Sequence, residues 1–386
     1  TPRSKSIKSY FLASSQWGID NDDVLVEIMH HQSMARIFNR KHLVLTIAPT
    51  QNCNFSCTYC YEKWRKSGRM DDQTENALID YLKTQQQKYG LETINLTWYG
   101  GEPLLEYKRI ASLGDKLNKL GIRLIENEII TNGFLFTHEA IKVLVDIGVT
   151  GVQITLDGLK DIHDRRRPQV NGQGSFDKII ENLDAYFAGE YRDYFIIAIR
   201  VNIDKQNREN YLQMHKWLNE RYRSSRLIVY PGWIHLDDLN PLKAMCFGRN
   251  EATDLCLDLF KKYGIISEKF FPDDINMECL VRNPYSMIVG WQGEIYKCFE
   301  ELGDKELIVG NINNKHVWNN YELLSKYSVG IDHYQDSKCR QCSYLPICRG
   351  GCPKRRLENK YEGKHNDCCT PFKGRLEDYI ELYVAL

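Results

Sequence analysis

The sequence predicts an α/β fold: a partial barrel of six parallel strand–helix units, followed by a loop-rich, cysteine-rich C-terminal region. Three observations predict it. Six apolar runs alternate with amphipathic helical stretches between residues 43 and 230, the rhythm of parallel βαβ units. Six such units are too few for the usual closed barrel of eight, so an open or partial barrel fits. From Cys279 onward, eight of the thirteen cysteines sit among Gly and Pro, a composition suited to loops held by metal rather than by a large core.

The elements follow in order. Residues 1–40 are polar and mixed, with a short helix expected over Val24–Phe38. Leu43–Ala48 reads as the first strand, and Asp71 or Asp72 can cap a helix that places Leu78, Tyr81 and Leu82 on one face. Ile94–Trp98 alternates as a second strand, before a helix over Tyr107–Leu120. Glu128–Thr131 is a third strand, and Thr137 caps a helix carrying Ile141, Leu144, Val145 and Ile147. Val152–Leu156 is a fourth strand, with a helix beginning at Ser175 and running to about Ala188. Tyr194–Asn202, a helix over Asn207–Glu220 and Leu227–Tyr230 complete the series. The expected divisions are an N-terminal extension to residue 40, the partial barrel at 41–235, a bridging region at 236–278, the cysteine-rich domain at 279–372, and a C-terminal helix at 373–386.

Bulk composition excludes some functions. Lysine plus arginine equals aspartate plus glutamate at 51 each, so the chain lacks the charge of an electrostatic nucleic-acid binder. No apolar run approaches the ~20 residues of a membrane helix, and no signal peptide is visible in a sequence that begins at Thr1. Clustered C-x2-C spacings without a signal favour metal ligation in a reducing cytoplasm over disulfides.

The densest chemistry is Cys53-Asn54-Phe55-Ser56-Cys57-Thr58-Tyr59-Cys60, spaced C-x3-C-x2-C on the loop after the first strand. Thiolates suit zinc or iron–sulfur clusters. Structural zinc takes four protein ligands, and this loop offers three. Three thiolates on a four-iron cluster leave one iron open. The plain alternative is a zinc knuckle. Other strands also end in distinctive loops: Gly100-Gly101-Glu102-Pro103, and Thr155-Leu156-Asp157-Gly158 followed by His163-Asp164-Arg165-Arg166-Arg167. Taken alone, the first could be a turn and the last a solvated basic run. Arg200, inside an apolar strand, needs a partner such as a bound carboxylate.

C-x3-C-x2-C with an aromatic before its last cysteine resembles the signature of radical S-adenosylmethionine (SAM) enzymes. The resemblance implies that Cys53, Cys57 and Cys60 hold a [4Fe-4S] cluster whose open iron binds SAM. One electron then releases a 5′-deoxyadenosyl radical that abstracts a substrate hydrogen. It implies that Tyr59 lies against the adenine and that Gly100–Pro103 takes the methionine amine. The Thr155 hydroxyl, in the motif with Asp157, would contact SAM, and Arg167 would reach its carboxylate, with Arg200 a second candidate.

From Cys279 the pattern is C-x13-G-x4-C to Cys298, then Cys339-x2-Cys342-x5-Cys348-x3-Cys352 and, fifteen residues on, Cys368-Cys369. This resembles the SPASM domain, which carries auxiliary clusters in radical SAM enzymes that modify peptides and proteins. The resemblance implies two further [4Fe-4S] clusters: a nearer one on Cys279, Cys298 and Cys352, and a farther one on Cys339, Cys342, Cys348 and either Cys368 or Cys369. The nearer set is one thiolate short. Cys246 or Cys256 could supply it, or a substrate thiol could; the plain reading of both is a small buried residue.

The function implied is a radical SAM maturase that installs a thioether, a carbon–carbon crosslink or a related oxidation in a ribosomally made peptide or protein. Its electrons would come from a low-potential donor such as flavodoxin or ferredoxin. A second reading is an anaerobic sulfatase-maturing enzyme, which makes formylglycine. That group has aspartate directly after the cysteine matching Cys298; here stand Phe299, Glu300 and Glu301, leaving Glu300 as a candidate base. A third reading is a non-catalytic iron–sulfur or zinc-stabilised peptide-binding protein, which explains the cysteines but not the GGEP and TLDG loops together. About 40 residues precede the first strand, too few for the full winged-helix leader-binding module that such enzymes often carry.

Overall fold

The computed structural model describes residues 22–62, 67–234, 236, 241–266, 279–348 and 350–385. Parts of the expected N-terminal extension and bridging region lie outside them.

Helix α1 (Asp22–Ile37) precedes strand β1 (His42–Ile47). Then follow α2 (Asp72–Tyr89), β2 (Thr93–Trp98), α3 (Tyr107–Lys119), β3 (Arg123–Thr131), α4 (His138–Asp146) and β4 (Gly151–Leu156). The barrel part ends with α5 (Lys160–Arg166), α6 (Phe176–Ala188), β5 (Ile196–Ile203), α7 (Arg208–Tyr222) and β6 (Leu227–Trp233). The six strands lie side by side in chain order, all parallel. This is the expected partial barrel.

Alternation along the strands divides inside from outside. In β5, Ile197, Ile199, Val201 and Ile203 are buried against the helices. Their alternates Arg200 and Asn202 therefore point to the inner face, because successive side chains of a strand face opposite ways. Register places Arg200 beside Thr155 on one side and Tyr230 on the other. The helices contribute Leu78, Leu82, Ile110, Leu113, Leu144, Ile179, Leu183, Tyr211 and Met214 to the outer core.

Two local features differ from what the sequence suggests. Strand β3 begins five residues earlier than its apolar end suggests, because its first half, Arg123–Glu128, is mostly exposed. Helix α5 was not expected, since Lys-Asp-Ile-His-Asp-Arg-Arg has no apolar stripe. Helix α6 begins at Ser175 as expected, but the Ser175 side chain supplies no cap. Instead Asp164 Oδ1 accepts from the Ser175 and Phe176 amides at 2.8 and 2.9 Å, capping that helix from α5. Asp71 and Thr137 do cap α2 and α4, through Thr74 N and Ala140 N.

After α8 (Arg249–Tyr263) the chain returns to the sheet. Strand β7 (Met287–Val289) pairs parallel with the free edge of β1, and β8 (Glu294–Tyr296) and β9 (Gly310–Asn311) extend it antiparallel. Met287, Val289, Ile295 and Val309 join the same core as the barrel strands. The start of the cysteine-rich region is thus built on the barrel sheet, more so than its composition suggests. Beyond it come short helices at Tyr321–Ser325, Ser337–Arg340 and Leu345–Cys348, then Pro353–Tyr361 and a last helix, Leu376–Ala385.

Candidate active site

The cysteine loop is held on two flanks. On one, Ser56 N donates to Pro168 O (2.8 Å), Thr58 N to Arg166 O (3.0 Å), and Val170 N to Asn54 O (3.0 Å). On the other, Gly101 N donates to Thr50 O (3.2 Å) and Glu102 N to Asn52 O (2.8 Å). The paired glycines serve that second seam. A Cβ on Gly101 would stand 2.3 Å from Asn52 O, and one on Gly100, whose φ is +132°, would stand 2.2 Å from Thr50 O. Only glycine allows backbones this close.

Between these seams opens a cavity of about 500 Å³ at the C-terminal ends of the strands. Cys53, Cys57 and Cys60 line it, with Tyr59, Gly100, Gly101, Thr155, Arg167 and Arg200. Cys298, Phe299 and Glu300 of the C-terminal region close one wall.

Glu102, Pro103 and Asp157 stand behind this surface. Glu102 is fully buried, and both its oxygens are occupied: Oε1 accepts from Leu104 N (3.0 Å) and Thr131 Oγ1 (2.6 Å), and Oε2 from Asn132 N (2.7 Å). Burial raises its pKa against these donors. Its carboxylate organises the loop, so in this motif the glycines are what meets the cavity. Pro103, itself buried, opens the turn Pro103–Glu106. Asp157 accepts from the Tyr59 hydroxyl (2.8 Å) and from Arg166 Nε (2.8 Å).

The Tyr59 hydroxyl also accepts from Arg167 Nη1 (2.9 Å) and Asn202 Nδ2 (3.1 Å). Burial pushes its pKa up, so it stays a neutral donor to Asp157. Arg167 is fixed from behind by His163, which is fully buried. His163 Nδ1 accepts from Asp157 N (3.3 Å), so Nε2 carries the hydrogen and donates to Ser175 Oγ (3.0 Å). Ser175 Oγ in turn donates to Arg167 O (2.7 Å). The residues between Asp157 and Arg167 therefore set the arginine's place rather than forming a solvated run. Arg166 is turned away onto Asp157 and Asp204.

Sequence reasoning missed several cavity residues. Asn202 and Gln153 are inward alternates of β5 and β4, findable once the strand faces were assigned. Tyr61, Tyr99, Glu62, Asn132 and Trp233 had no motif to mark them. The Tyr61 and Tyr99 hydroxyls bond to each other, and Tyr99 packs edge-to-face on Phe299 at 4.9 Å.

This wall fits a polar, thiolate-bound ligand. Arg167 Nε, Arg200 Nε and Asn202 Oδ1 are buried without a hydrogen-bond partner among the described residues, a cost that native sites normally offset with a ligand or water.

The auxiliary cysteines fall in several places. Cys279 is exposed at the start of the turn Leu280–Arg282. Cys298 lines the barrel cavity. Glu300, beside it, accepts from Lys354 Nζ at 3.1 Å, whereas Glu301 is buried and receives the Tyr327 hydroxyl and Cys298 N. Cys339 accepts from Arg356 Nη1 (3.5 Å), and Cys342 N is bonded to Cys339 O (3.0 Å). Cys348, Cys352, Cys368 and Cys369 line a second cavity of about 900 Å³. None of the cysteines is in a disulfide. Among the described residues no three His, Cys, Asp or Glu side chains are grouped as ligands of a metal ion.

Residues 47–218 match the Radical SAM superfamily. The chain is 26% identical over 381 residues to the cysteine-type anaerobic sulfatase-maturating enzyme of Clostridium novyi (strain NT), covering 89% of this chain and 98% of that protein. Its fold matches native anSMEcpe with bound AdoMet and Cp18Cys peptide at a TM-score of 0.65 and 19% identity, over 89% of this chain and 97% of that one. It also matches Streptococcus suis SuiB bound to S-adenosylmethionine, at 0.60 and 17% identity, over 87% of this chain and 79% of that one. Residues 47–218 thus form a radical SAM domain, and the chain is homologous over most of its length to anaerobic sulfatase-maturating enzymes.

Proposed function

We propose that this enzyme is a radical SAM maturase acting on a peptide or protein. The observation that carries the reading is the composition of one cavity: three thiols on a single loop, the two-glycine seam, Thr155, Arg167, Arg200 and Asn202 share it with Cys298 and Glu300 of the C-terminal region. Cys53, Cys57 and Cys60 would hold a [4Fe-4S] cluster. Gly100, Gly101, Thr155 and Arg167 would hold SAM, with Arg200 a second cation for its carboxylate. Bound there, the cluster and SAM would supply the one-electron chemistry for abstracting a hydrogen from the substrate. The chain's own part is to bind, orient and exclude water. The Tyr59–Asp157–Arg167 network fixes the ligand-facing guanidinium, and the wall formed by Cys298–Glu300 shields the cavity beside the cysteine loop.

The C-terminal cysteines would hold two auxiliary clusters, and a low-potential carrier such as flavodoxin or ferredoxin would deliver electrons. The product we favour is a thioether, a carbon–carbon crosslink or a related oxidation. Formylglycine formation is the second reading, favoured by the homology to sulfatase-maturating enzymes. Phe299 occupies the aspartate position of that group, but Glu300, one residue on, lines the cavity and can accept a proton.

The test is to incubate the reconstituted, reduced enzyme with cysteine- or aromatic-containing peptides encoded beside it and with a sulfatase-derived peptide. Loss of two hydrogens from the former, matched by 5′-deoxyadenosine, supports the crosslinking reading. Formylglycine in the latter alone replaces it with the second. SAM cleavage with no change in any peptide contradicts both.

A further inference from the structure

Below the residues that would hold SAM, the barrel cavity carries uncharged donors without an acceptor among the described residues. Gln153 lines the cavity from the inner face of β4, two residues before Thr155. A parallel strand rises about 3.3 Å per residue, which sets Gln153 about 6.6 Å deeper in the barrel than Thr155. Its neighbour on β5 is Ala198, while Arg200, two residues on, is paired with Tyr230 of β6. Ala198 adds only a methyl group to the inner face, so the Tyr230 hydroxyl reaches across β5 and donates to Gln153 Oε1.

That bond fixes the carboxamide. Oε1 is taken, and Nε2 keeps two N–H donors for the cavity, with no acceptor among the described residues.

A second uncharged donor borders the same space. The Tyr61 and Tyr99 hydroxyls bond to each other, which uses one of their two hydrogens. The other has no acceptor among the described residues, and burial keeps the Tyr99 hydroxyl protonated. Tyr61 directly follows Cys60 and Tyr99 directly precedes Gly100, so the pair stands between the cysteine loop and the glycine loop. Donors placed in this way are normally satisfied by a ligand or by water.

The chemistry of these groups points to their ligand. Arg167 and Arg200 are the cations of the cavity and suit a carboxylate. Gln153 and the tyrosine pair carry no charge, and they suit a carbonyl oxygen, the acceptor that every residue of a peptide presents. We infer that Gln153 binds a main-chain carbonyl of the substrate peptide beside the residue being modified, with Tyr230 as the positioning residue that aims it. The Tyr61–Tyr99 pair offers the same chemistry to a second carbonyl. The inference rests on the peptide-maturase reading of the proposed function. Such contacts would hold the reacting hydrogen in place relative to SAM without reading the identity of the side chain.

The probe is the peptide that the wild type modifies, whether encoded beside the enzyme or derived from a sulfatase, labelled with fluorescein. Its binding to the reconstituted, unreduced holoprotein with SAM is read by fluorescence anisotropy, where no turnover occurs. Gln153→Leu should weaken peptide binding about three- to tenfold, the worth of one uncharged hydrogen bond, and leave the Kd of SAM in place. After reduction, the same variant should yield less modified peptide per 5′-deoxyadenosine. Tyr230→Phe should weaken the peptide in the same direction, and the double variant should bind no more weakly than Gln153→Leu alone, because Tyr230 acts through Gln153. If Gln153→Leu does not fold, Gln153→Glu keeps the shape, replaces the donor with an acceptor and should show the same loss. Unchanged peptide affinity overturns the inference, as do additive losses from the two positions. A loss of SAM affinity in place of peptide affinity assigns Gln153 to SAM and overturns it as well. A wild type that cleaves SAM but modifies no peptide overturns the peptide-maturase reading and this inference together.

Discussion

Arg167 and Glu102 separate binding from architecture at the level of single residues. Arg167 lines the cavity with Nε unpartnered among the described residues, so Arg167→Ala should weaken SAM binding by about 1.5–3 kcal/mol, the usual worth of a charged hydrogen bond. Calorimetric titration checks this, and unchanged affinity would move the carboxylate contact to Arg200. Glu102 stands behind the cavity surface and accepts three hydrogen bonds. Glu102→Ala strands those buried donors, each costing about 1–3 kcal/mol. Its expected signature is a lower urea midpoint, and a variant with wild-type stability but lost SAM affinity would return Glu102 to the ligand. Spacing alone could not distinguish these roles. The GGEP motif marks a loop, while which of its atoms face the cavity depends on Thr131 and Asn132, some thirty residues away.

At the scale of elements, the decisive feature is the seam between the cysteine loop and the glycine loop. Gly101→Ala places a methyl group 2.3 Å from the Asn52 carbonyl, so one of the two loops must move. The variant should take up markedly less iron at the first cluster while retaining the auxiliary iron, as anaerobic iron analysis and EPR would record. Full iron with a normal SAM-cluster signal would show that the seam is not needed. The six strands and most of their helices were legible because period-2 and period-3.6 patterns survive in single segments. Helix α5 was not, because seven mostly charged residues carry no stripe. Its purpose appears only in three dimensions, where His163 and Asp164 rivet Arg167 and cap α6. The attachment of β7 to β1 was equally hidden. A three-residue strand pairing with one some 240 residues earlier leaves no local trace.

Across the whole molecule, two buried histidines give stability a pH dependence. Burial holds His163 well below its usual pKa, and His333 is lowered to about 3 by burial, with the Arg282 charge adding to the effect. Both are neutral in the folded protein and protonate more readily when unfolded. Their contribution is complete above the unfolded value near 6.5 and declines as pH falls from there toward the folded values. Between pH 6.5 and 5 each should cost up to about 1.4 kcal/mol per pH unit, and His163→Gln should flatten the slope. A urea midpoint constant over that range contradicts the assignment. Metal content tests the thirteen cysteines as a set: about twelve irons and little zinc per chain are expected with all three clusters filled, and stoichiometric zinc with iron for one cluster would remove the auxiliary sites. The central claim, that the cavity beneath Cys53, Cys57 and Cys60 is a SAM-cleaving centre, has one direct measurement. The anaerobically reconstituted, dithionite-reduced enzyme is assayed for 5′-deoxyadenosine beside a variant with all three cysteines changed to alanine. The account predicts formation by the wild type and none by the variant, which keeps its auxiliary iron; equal formation by both, or none by a cluster-loaded wild type, would contradict it.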